Sequence, residues 1–578
     1  MCKRSANLLF SPAGWWLGIL LGLALVSCRT ERPPAPYATQ LSARFDSAAV
    51  ATAHPLASEV GADILRAGGN AIDAAVATQF ALAVVYPRAG NIGGGGFMII
   101  RRNDGTAAAL DYRERAPAAA TRDMYLDAEG NPVDSLSREG HRAVGVPGTV
   151  HGLALAHQRF GRLPWERLVQ PAVDLARRGF ALTPTEAERF RNYHEDFVHH
   201  NPAPNAFTAK SAWRSGDTFV QPDLARTLER IRDRGAPGFY TGETAELFVA
   251  EMARGGGLIT HQDLVDYRAV WRTPIRSEYH NYHIIGMPPP SSGGVAVAQL
   301  LRISDNYPLT DYGFHTPRSV HLMAEAERRV YADRAQHLGD MDFYPVPLDT
   351  LLDEAYLRRR MQSFDPQRAS VSDSLAAGQF LLPESFETTH TSIIDAERNA
   401  VSVTTTLNLN FGSKVLVAGA GFFLNDEMDD FSAKPGVPNY FGLVGAEANA
   451  IAPGKRMLSS MAPTIVERDG ELFLVLGAPG GSTIITAVYQ VFLNIAAFGM
   501  TPEAAVAAGR FHHQWLPDVL RAEEGTFSGA TVAALENLGH TVEQRGRMAV
   551  IKAIQVLPDG TLAAAADPRN PDDDVAGY

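Results

Sequence analysis

The chain has 578 residues, of which 46% are hydrophobic and 20% are charged. These proportions are typical of a soluble globular protein with one large core or two, and they exclude a disordered, fibrous or multi-span protein. The formal net charge is −12, from 52 basic and 64 acidic residues spread along the chain. Because no basic block is present that could follow a phosphate backbone, we expect no nucleic-acid partner.

The N-terminus has the pattern of an export signal. A basic start precedes an apolar stretch, residues 15–26, that is short for a membrane span. The sequence Leu-Val-Ser-Cys that ends at Cys28 resembles the lipobox of bacterial lipoproteins, in which this cysteine becomes the acylated first residue. An ordinary signal peptide with an incidental cysteine is the alternative. We therefore expect residues 1–27 to be removed and Cys28 to hold the protein at the periplasmic side of a bacterial membrane; Arg29, in place of Asp, favours the outer membrane.

Cysteine content limits the chemistry of the mature protein. The chain has two cysteines, Cys2 and Cys28. Removal of the signal would leave only the acylated one, so we expect no disulfide and no cysteine for catalysis or metal binding. Residues 28–47 are rich in Pro, Ala and Thr, which predicts a tether between the lipid and a folded body.

The first part of the folded body is predicted to be mainly helical. The predicted helices span residues 57–85 with a break at 68–70, then 150–160, 168–178, 223–234 and 315–335. A proline-rich stretch at 288–294 predicts a rigid turn. The four glycines at 93–96 lack the Lys that a phosphate loop requires, so we expect them to allow close backbone packing.

The pattern changes after a polar segment, residues 364–387, whose composition is typical of an exposed loop that can be cut. Two hairpins are predicted next, from strands 388–394 and 400–408 and from strands 464–467 and 472–476. Helices are predicted at 483–498 and 502–509. This order predicts an α+β body in which helices cover the sheet on both sides.

The strand that begins at Thr388 concentrates hydroxyl groups. Threonine is a good strand former, so β-propensity alone accounts for the composition, and an internal threonine has no base of its own. A cut before Thr388 would place a free α-amine, with an ordinary pKa of about 7.7–8.0, beside the hydroxyl. Cleavage would then create a nucleophile that carries its own base.

From Thr388 onward, a series of motifs resembles the small subunit of the γ-glutamyltransferase (γ-glutamyl transpeptidase) family in order and spacing. These motifs are Thr-Thr-His-Thr-Ser at 388–392, Thr-Thr-Thr-Leu-Asn at 404–408, Asn-Asp-Glu-Met-Asp-Asp-Phe-Ser at 425–432, Leu-Ser-Ser-Met at 458–461 and Gly-Ala-Pro-Gly-Gly-Ser at 477–482. Upstream, Asp-Tyr-Arg-Glu at 111–114 and the proline-rich stretch also match. The resemblance covers nearly all of the chain after the tether.

The resemblance implies an N-terminal-nucleophile hydrolase fold, a four-layer αββα sandwich of the α+β class. It also implies autocatalytic cleavage between Glu387 and Thr388 of one precursor. The products would be a large subunit, residues 48–387, and a small catalytic subunit, residues 388–578, that stay together as a heterodimer. Members of the family transfer the γ-glutamyl group of glutathione and related compounds to water, an amino acid or a dipeptide, without a cofactor.

The family pattern also implies roles for single residues. Thr388 would be the nucleophile and Thr406 the second threonine that assists it, while Gly480 and Gly481 would form the oxyanion hole. The donor group carries a free carboxylate and a free ammonium. The matching positions are Arg113, Ser459 and Ser460 for the carboxylate and Asn408, Glu427 and Asp430 for the ammonium.

Two positions depart from the pattern of some bacterial members. Glu427 stands where those members have glutamine, and we expect this change to tune binding without abolishing it. Residues 435–445 resemble a lid loop, with Phe441 at the position of a tyrosine and Tyr440 beside it, which puts the lid's hydrogen bond in doubt.

Two other functions fit parts of this sequence. Some relatives act on glutaryl side chains of β-lactam precursors or on poly-γ-glutamate; because a glutaryl group has no α-amine, Glu427 and Asp430 favour a γ-glutamyl donor. A lipoprotein that only captures γ-glutamyl compounds would need the pocket but not Thr388. The paired histidines at 199–200 and 512–513 have no carboxylate cluster at ligand spacing, so we expect no metal site, and the acidic run at 572–574 predicts solvated surface charge.

Overall fold

The computed structural model describes residues 36–375, 388–437, 439 and 442–578. The predicted signal peptide, the predicted lipidation site Cys28, Glu387 at the predicted cleavage site, and Tyr440 and Phe441 of the loop lie outside these residues.

The strands in the described residues are β1 (Ser42–Phe45), β2 (Ala49–Thr52), β3 (Gly95–Arg101), β4 (Ala107–Asp111), β5 (Phe180–Ala181), β6 (Thr218–Phe219), β7 (Val270–Arg272), β8 (Ile275–Tyr279), β9 (Tyr282–Gly286), β10 (Thr389–Ile394), β11 (Ala400–Thr406), β12 (Thr464–Arg468), β13 (Glu471–Gly477), β14 (Phe511–His512), β15 (Leu520–Glu523), β16 (Val542–Arg545), β17 (Lys552–Val556), β18 (Leu562–Ala566) and β19 (Asp574–Gly577). The α-helices are α1 (Pro55–Arg66), α2 (Ala71–Val85), α3 (Asp134–Arg138), α4 (Thr149–Phe160), α5 (Trp165–Arg178), α6 (Pro184–Asn192), α7 (His194–His200), α8 (Pro222–Arg234), α9 (Pro237–Tyr240), α10 (Glu243–Gly255), α11 (His261–Asp266), α12 (Gly293–Asp305), α13 (Leu309–Tyr312), α14 (Pro317–His337), α15 (Leu348–Leu351), α16 (Glu354–Arg360), α17 (Thr483–Ala496), α18 (Pro502–Ala507) and α19 (Gly529–Asn537).

Two seven-stranded antiparallel sheets form the centre of the fold. The first has the order β1-β18-β17-β13-β12-β9-β8, and the second has the order β19-β2-β10-β11-β3-β4-β7. The sheets lie face to face, with β10 and β11 packed against β13 and β17. Every residue of β10 and β11 is buried, because one face meets the other sheet and the opposite face meets helices.

Helices cover both outer faces of the sheet pair. Helices α1 and α2 pack on the second sheet, while α12 and α17 pack on the first and α14 packs against α12. The layers therefore run helix, sheet, sheet, helix, which confirms the predicted four-layer α+β sandwich. No helix in the described ranges is both long enough and apolar enough to cross a membrane.

Local sequence explains the boundary between α1 and α2. Gly68 adopts a positive φ of 88° after the end of α1. Asn70 then caps α2, its side chain accepting from the amides of Ile72 and Asp73 while the Asp73 carboxylate accepts from the Asn70 amide. This reciprocal capping box starts a helix in which all 15 residues are buried. The predicted break at 68–70 is confirmed.

Two interpretations from the sequence are wrong in part. Residues 42–45, which we assigned to the tether, form β1 at the edge of the first sheet and pair with β18. The acidic run at 572–574 is buried rather than solvated, since Asp573 forms an ion pair of 3.0 Å with Lys552 and Asp574 starts β19. In both cases the partner belongs to a separate strand, β18 for β1 and β17 for Asp573, so local composition does not reveal it.

The sheets combine strands from both sides of the predicted cleavage site. In the second sheet, β10 and β11 lie between β2 and β3, and β19 lies beyond β2. In the first, β12, β13, β17 and β18 lie between β1 and β9. Separation of the two parts would therefore expose strand edges throughout both sheets, at a large cost in lost hydrogen bonds and buried apolar surface.

Candidate active site

Thr388 lies just before β10 and beside the end of β11. The register pairs Thr389 with Thr405, which brings Thr388 next to Thr406. The hydroxyl of Thr388 donates to Oγ1 of Thr406 at 3.3 Å, and Oγ1 of Thr406 also accepts from the amide of Asn408 at 2.8 Å. Thr388 is 7% exposed. The structure thus brings the two predicted threonines together at a nearly buried position.

The glycines at 93–96 allow β3 to approach this pair closely. A Cβ on Gly94 would lie 2.2 Å from the carbonyl oxygen of Thr406, and one on Gly96 would lie 2.4 Å from that of Thr404. The prediction of close backbone packing is confirmed. Asn91 supports the same strand end, donating from Nδ2 to the Thr406 carbonyl at 2.8 Å. Nothing in the local sequence marks Asn91 as a contact of Thr406, and it was not predicted as a site residue.

Gly480 and Gly481 form the turn that follows β13. Their φ angles are 144° and 55°, and a Cβ on Gly480 would lie 2.6 Å from Cα of Ala549, so a side chain would be strained there. Within the described residues, neither glycine amide donates a hydrogen bond to the protein. Between the facing sheets, Oγ of Ser402 donates to the carbonyl of Leu476 at 3.0 Å, and Gly477 packs on the ring of His390. The chain after Gly477 therefore runs towards the end of the sheets that carries Thr388.

Arg113, Glu427 and Asp430 meet in one buried cluster. Nη1 of Arg113 contacts the Glu427 carboxylate, and Nη2 contacts the Asp430 carboxylate. The guanidinium also donates to the carbonyls of Met457 at 3.3 Å and Leu458 at 3.2 Å. Residues that the family pattern assigns to opposite charges of a donor therefore contact each other directly.

The cluster holds more acid than base. Glu114, next to Arg113, is fully buried, its nearest carboxylate oxygen lies 3.8 Å from Arg113, and neither oxygen has a hydrogen-bond partner in the described residues. Burial raises the pKa of Glu114 well above its ordinary value, and the charge of Glu427 adds to this effect. Burial also raises the pKa of Glu427 to about 7, although Arg113 opposes this shift, and it raises the pKa of Asp430. Glu114 was missed as a site residue, although it is the last residue of the Asp-Tyr-Arg-Glu motif.

Asn408 lies beyond β11 instead of within it, so the predicted strand 400–408 is two residues too long. Its φ of 76° is left-handed, a conformation that asparagine tolerates better than most residues. Nδ2 of Asn408 donates to the carbonyl of Asp426 at 3.1 Å. The turn therefore links the end of the Thr406 strand to the segment that carries Glu427 and Asp430.

Ser459 and Ser460 are held by the proline-rich turn. The amide of Ser459 donates to the carbonyl of Pro290 at 2.9 Å, and the amide of Ser292 donates to the carbonyl of Ser459 at 2.7 Å. Arg334 of α14 donates from Nη2 to Oγ of Ser460 at 3.0 Å. Arg334 was not predicted as a site residue, because it lies in a helix rich in arginine and glutamate that gives no local sign of a site.

The described part of the loop at 435–445 contacts Asp430 through Asn439 and Gln514 through Gly442. Nδ2 of Asn439 donates to Oδ1 of Asp430 at 3.4 Å, and the carbonyl of Gly442 accepts from Nε2 of Gln514 at 3.2 Å. Tyr440 and Phe441, on which the expectation about the lid's hydrogen bond rests, lie outside the described residues.

A group with metal-ligand spacing is present elsewhere, at His321, Glu325 and His540. Nδ1 of His321 lies 2.7 Å from Nε2 of His540, a hydrogen-bond distance between the rings. Glu325 already pairs with Arg328 at 3.2 Å and Arg329 at 2.6 Å. With two guanidinium groups on its only carboxylate, this cluster is unsuited to a cation.

The histidine pair at 512–513 has separate partners. His512 bonds Thr486 at 2.9 Å, whereas His513 lies 3.2 Å from Asp518. These contacts agree with the structural roles expected from the sequence.

Comparison with known proteins places this geometry in a family. Residues 57–577 match the family model described as Gamma-glutamyltranspeptidase. The chain is 47% identical to the Glutathione hydrolase proenzyme of Escherichia coli (strain K12), over 94% of this chain and 95% of that protein. It is 50% identical to the Glutathione hydrolase proenzyme of Pseudomonas aeruginosa, over 91% of this chain and 94% of that protein.

A solved structure shares the fold. The crystal structure of cephalosporin acylase from Bacillus halodurans matches with a TM-score of 0.81 at 28% identity, covering 94% of this chain and 98% of that one. A family model that spans most of the chain agrees with the four-layer fold, the paired threonines and the buried charge cluster, and the chain belongs to the γ-glutamyltranspeptidase family.

Proposed function

We propose that this protein is a γ-glutamyltransferase and glutathione hydrolase that acts through Thr388 after autocatalytic cleavage between Glu387 and Thr388. The observation that carries the proposal is the contact of 3.3 Å between the hydroxyls of Thr388 and Thr406, at the end of two buried strands. The relatives from E. coli and P. aeruginosa are named proenzymes, which agrees with activation by cleavage.

The chemistry needs only groups of this chain and the substrates. After cleavage, the α-amine of Thr388 takes the hydroxyl proton while Oγ1 attacks the γ-carbonyl of the donor. The tetrahedral oxyanion would be stabilised by the amides of Gly480 and Gly481. Collapse breaks the amide bond, and the leaving amine takes the proton. Water or an acceptor amine then attacks the acyl-enzyme, returns a proton to the threonine, and releases glutamate or a new γ-glutamyl compound.

The charge cluster fits a zwitterionic donor. Arg113, with Ser459 and Ser460, would bind the α-carboxylate, while Glu427, Asp430 and Asn408 would receive the α-ammonium. Because Arg113 already contacts Glu427 and Asp430, a donor would insert one charge of each sign into an existing ion-pair network. The net charge of the buried cluster would then stay the same, which limits the desolvation cost of binding.

Quaternary arrangement and location complete the proposal. The large and small parts would remain a heterodimer, since both sheets contain hydrogen-bonded strands of both parts. Residues 48–387 and 388–578 are the proposed subunits. The motif that ends at Cys28 supports export and a lipid anchor on the periplasmic side, with the outer membrane favoured.

Cleavage and turnover test this proposal together. We expect the wild-type protein to give two bands on a denaturing gel, with Thr-Thr-His-Thr-Ser at the start of the small fragment, and to release glutamate from glutathione. Thr388→Ala should give one band and no turnover. The matched control is Thr389→Val, because the Thr389 hydroxyl is buried without a hydrogen-bond partner in the described residues, and this variant should still be cleaved. Turnover by an uncleaved protein would refute the proposal.

Anilide substrates separate this donor from a glutaryl donor. We expect faster release of the chromophore from a γ-glutamyl anilide than from a glutaryl anilide, because the buried Glu427 and the partly buried Asp430 favour a donor with an ammonium group. The opposite order would change the proposed substrate but not the nucleophile.

A further inference from the structure

Arg334 carries a buried charge that lacks a carboxylate partner. The residue is 4% exposed, and no Asp or Glu in the described parts of the chain forms an ion pair with it. The charge of Asp430 reaches Arg334 from beyond ion-pair distance, but the Asp430 carboxylate already contacts Arg113. It donates from Nε to Oγ of Ser292 at 2.9 Å and from Nη2 to Oγ of Ser460 at 3.0 Å. By comparison, Arg113 has two carboxylates in direct contact. A buried guanidinium without a counter-ion is costly unless a further group supplies the charge.

The hydrogen bonds around Arg334 determine where the serine protons can point. A guanidinium can only donate, so Oγ of Ser460 accepts from it. Oγ of Ser459 accepts from the amide of Met461 at 3.2 Å. Ser292 donates its own proton to the carbonyl of Ser459 at 2.6 Å. In the part of the chain that the structure describes, the hydroxyl protons of Ser459 and Ser460 therefore have no protein acceptor, and both remain available to an anion.

We propose that Arg334 is a positioning and specificity-determining residue that selects donors with a free α-carboxylate, and this inference rests on the function proposed above. Arg334 orients the Ser460 hydroxyl as a donor and supplies the positive charge that the donor carboxylate completes. Arg113 alone would be a weaker selector, since Glu427 and Asp430 already neutralise it. The α-carboxylate is thus the contacting counter-ion that Arg334 lacks, since Asp430 lies beyond ion-pair distance and is held by Arg113.

The ammonium and the carboxylate of the donor are then recognised by separate groups of the protein. Glu427 and Asp430 bear the charge that suits the ammonium, and Arg334, through Ser460, bears the charge that suits the carboxylate. Loss of Arg334 should therefore affect only donors that carry the carboxylate, whereas a purely structural role in joining α14 to the Ser292 turn would affect every donor.

Two donors that differ only in this group provide the test. These are a γ-glutamyl anilide and a 4-aminobutyryl anilide, which keeps the amine but lacks the carboxylate. For Arg334→Gln we expect kcat/KM for the γ-glutamyl anilide to fall about 10- to 100-fold, mainly through KM, and that for the 4-aminobutyryl anilide to change less than about twofold. Arg334→Lys keeps the charge but loses the second donor, to Ser292. Its kcat/KM for the γ-glutamyl anilide should therefore lie between those of the wild type and Arg334→Gln.

Controls separate selectivity from folding. Arg318→Gln makes the same charge change on the exposed first turn of the same helix and should leave both substrates unchanged. Inhibition constants of L-glutamate and 4-aminobutyrate give a second measurement, and only the constant for L-glutamate should rise in Arg334→Gln and Arg334→Lys. Equal losses for both donors, or unchanged selectivity in both variants, would overturn the inference. Absence of γ-glutamyl turnover in the cleaved wild type would instead overturn the proposed function.

Discussion

Glu427→Gln should make donor use less dependent on pH. The substitution keeps the shape of the side chain but removes its charge. In the structure, the Glu427 carboxylate contacts Arg113 and is almost fully buried. If Glu427 receives the donor ammonium, its ionised form should bind the donor more tightly than its neutral form.

The size of the effect follows from the pKa of Glu427. Burial, opposed by Arg113, raises this pKa from an ordinary 4.5 to about 7. A charge-assisted hydrogen bond contributes about 1.5–3 kcal/mol, or about 10- to 100-fold in kcat/KM. At about pH 8.5 the Glu427 carboxylate is ionised, and kcat/KM of the wild type should exceed that of the variant by this factor. At about pH 5.5 Glu427 is protonated, and the ratio should approach one.

Initial rates with a γ-glutamyl anilide across this pH range measure the ratio. The α-amine of Thr388 titrates in both proteins, so its contribution cancels when the two are compared at each pH. Glu471→Gln is a suitable control, because Glu471 is exposed at the start of β13 and outside the proposed site. A ratio that stays constant with pH would refute this assignment of Glu427.

Above pH 7, Glu427→Gln should raise the stability of the protein while it lowers the activity. Because the folded-state pKa of Glu427 lies above its unfolded value, the native state binds the proton more tightly, and stability falls as pH rises from 4.5 towards 7. This difference between the folded and unfolded pKa values corresponds to about 3 kcal/mol in the free energy of unfolding. Glu427→Gln should therefore raise Tm above pH 7, as thermal unfolding would show, and change it little near pH 4.5.

Substitutions at three further positions test other parts of the structure. Thr406→Val removes the hydroxyl that contacts Thr388 and should lower kcat about 10- to 100-fold and slow precursor cleavage, whereas Thr406→Ser should retain most activity; equal rates in both variants would contradict a hydrogen-bonding role. Gly480→Ala should lower kcat about 10²- to 10³-fold with little change in KM, because its Cβ would lie 2.6 Å from Cα of Ala549 and displace the turn; wild-type kcat would exclude this turn from the oxyanion site. Arg328, Ser370 and Arg329 outweigh burial and hold the pKa of Glu325 at about 2, below its ordinary 4.5, so its contribution is present above pH 4.5 and is lost as pH falls towards 2. In urea unfolding, Glu325→Gln should cost about 3 kcal/mol at pH 7 and little at pH 2, and a pH-independent difference would contradict this account.

The sequence predicted the elements whose determinants are local. Helix α2 begins at Asn70 because its side chain and that of Asp73 form a capping box within four residues. The hairpin of β10 and β11 was predicted to within two residues at the strand ends, because its β-branched residues and the turn between them are contiguous. The glycines at 93–96 likewise reveal the close approach of β3 to β11. The order of the family motifs also predicts Arg113, Glu427 and Asp430 as site residues, and the structure brings their side chains into contact.

Only the tertiary structure determined which buried charges face one another. Lys552 neutralises Asp573 inside the fold, although the acidic run around it has the composition of a solvated surface. Glu114 joins the Arg113 cluster, although its carboxylate has no hydrogen-bond partner among the described residues. Arg334 donates to Ser460 and forms no ion pair with a carboxylate of the described residues. A sequence pattern records whether a position suits burial, through the period and chemistry of its neighbours. The electrostatic environment depends on groups that the fold brings together from distant parts of the chain, such as the contact of Arg113 with Glu427, 314 residues apart, so the charge balance of this site is a property of the folded chain.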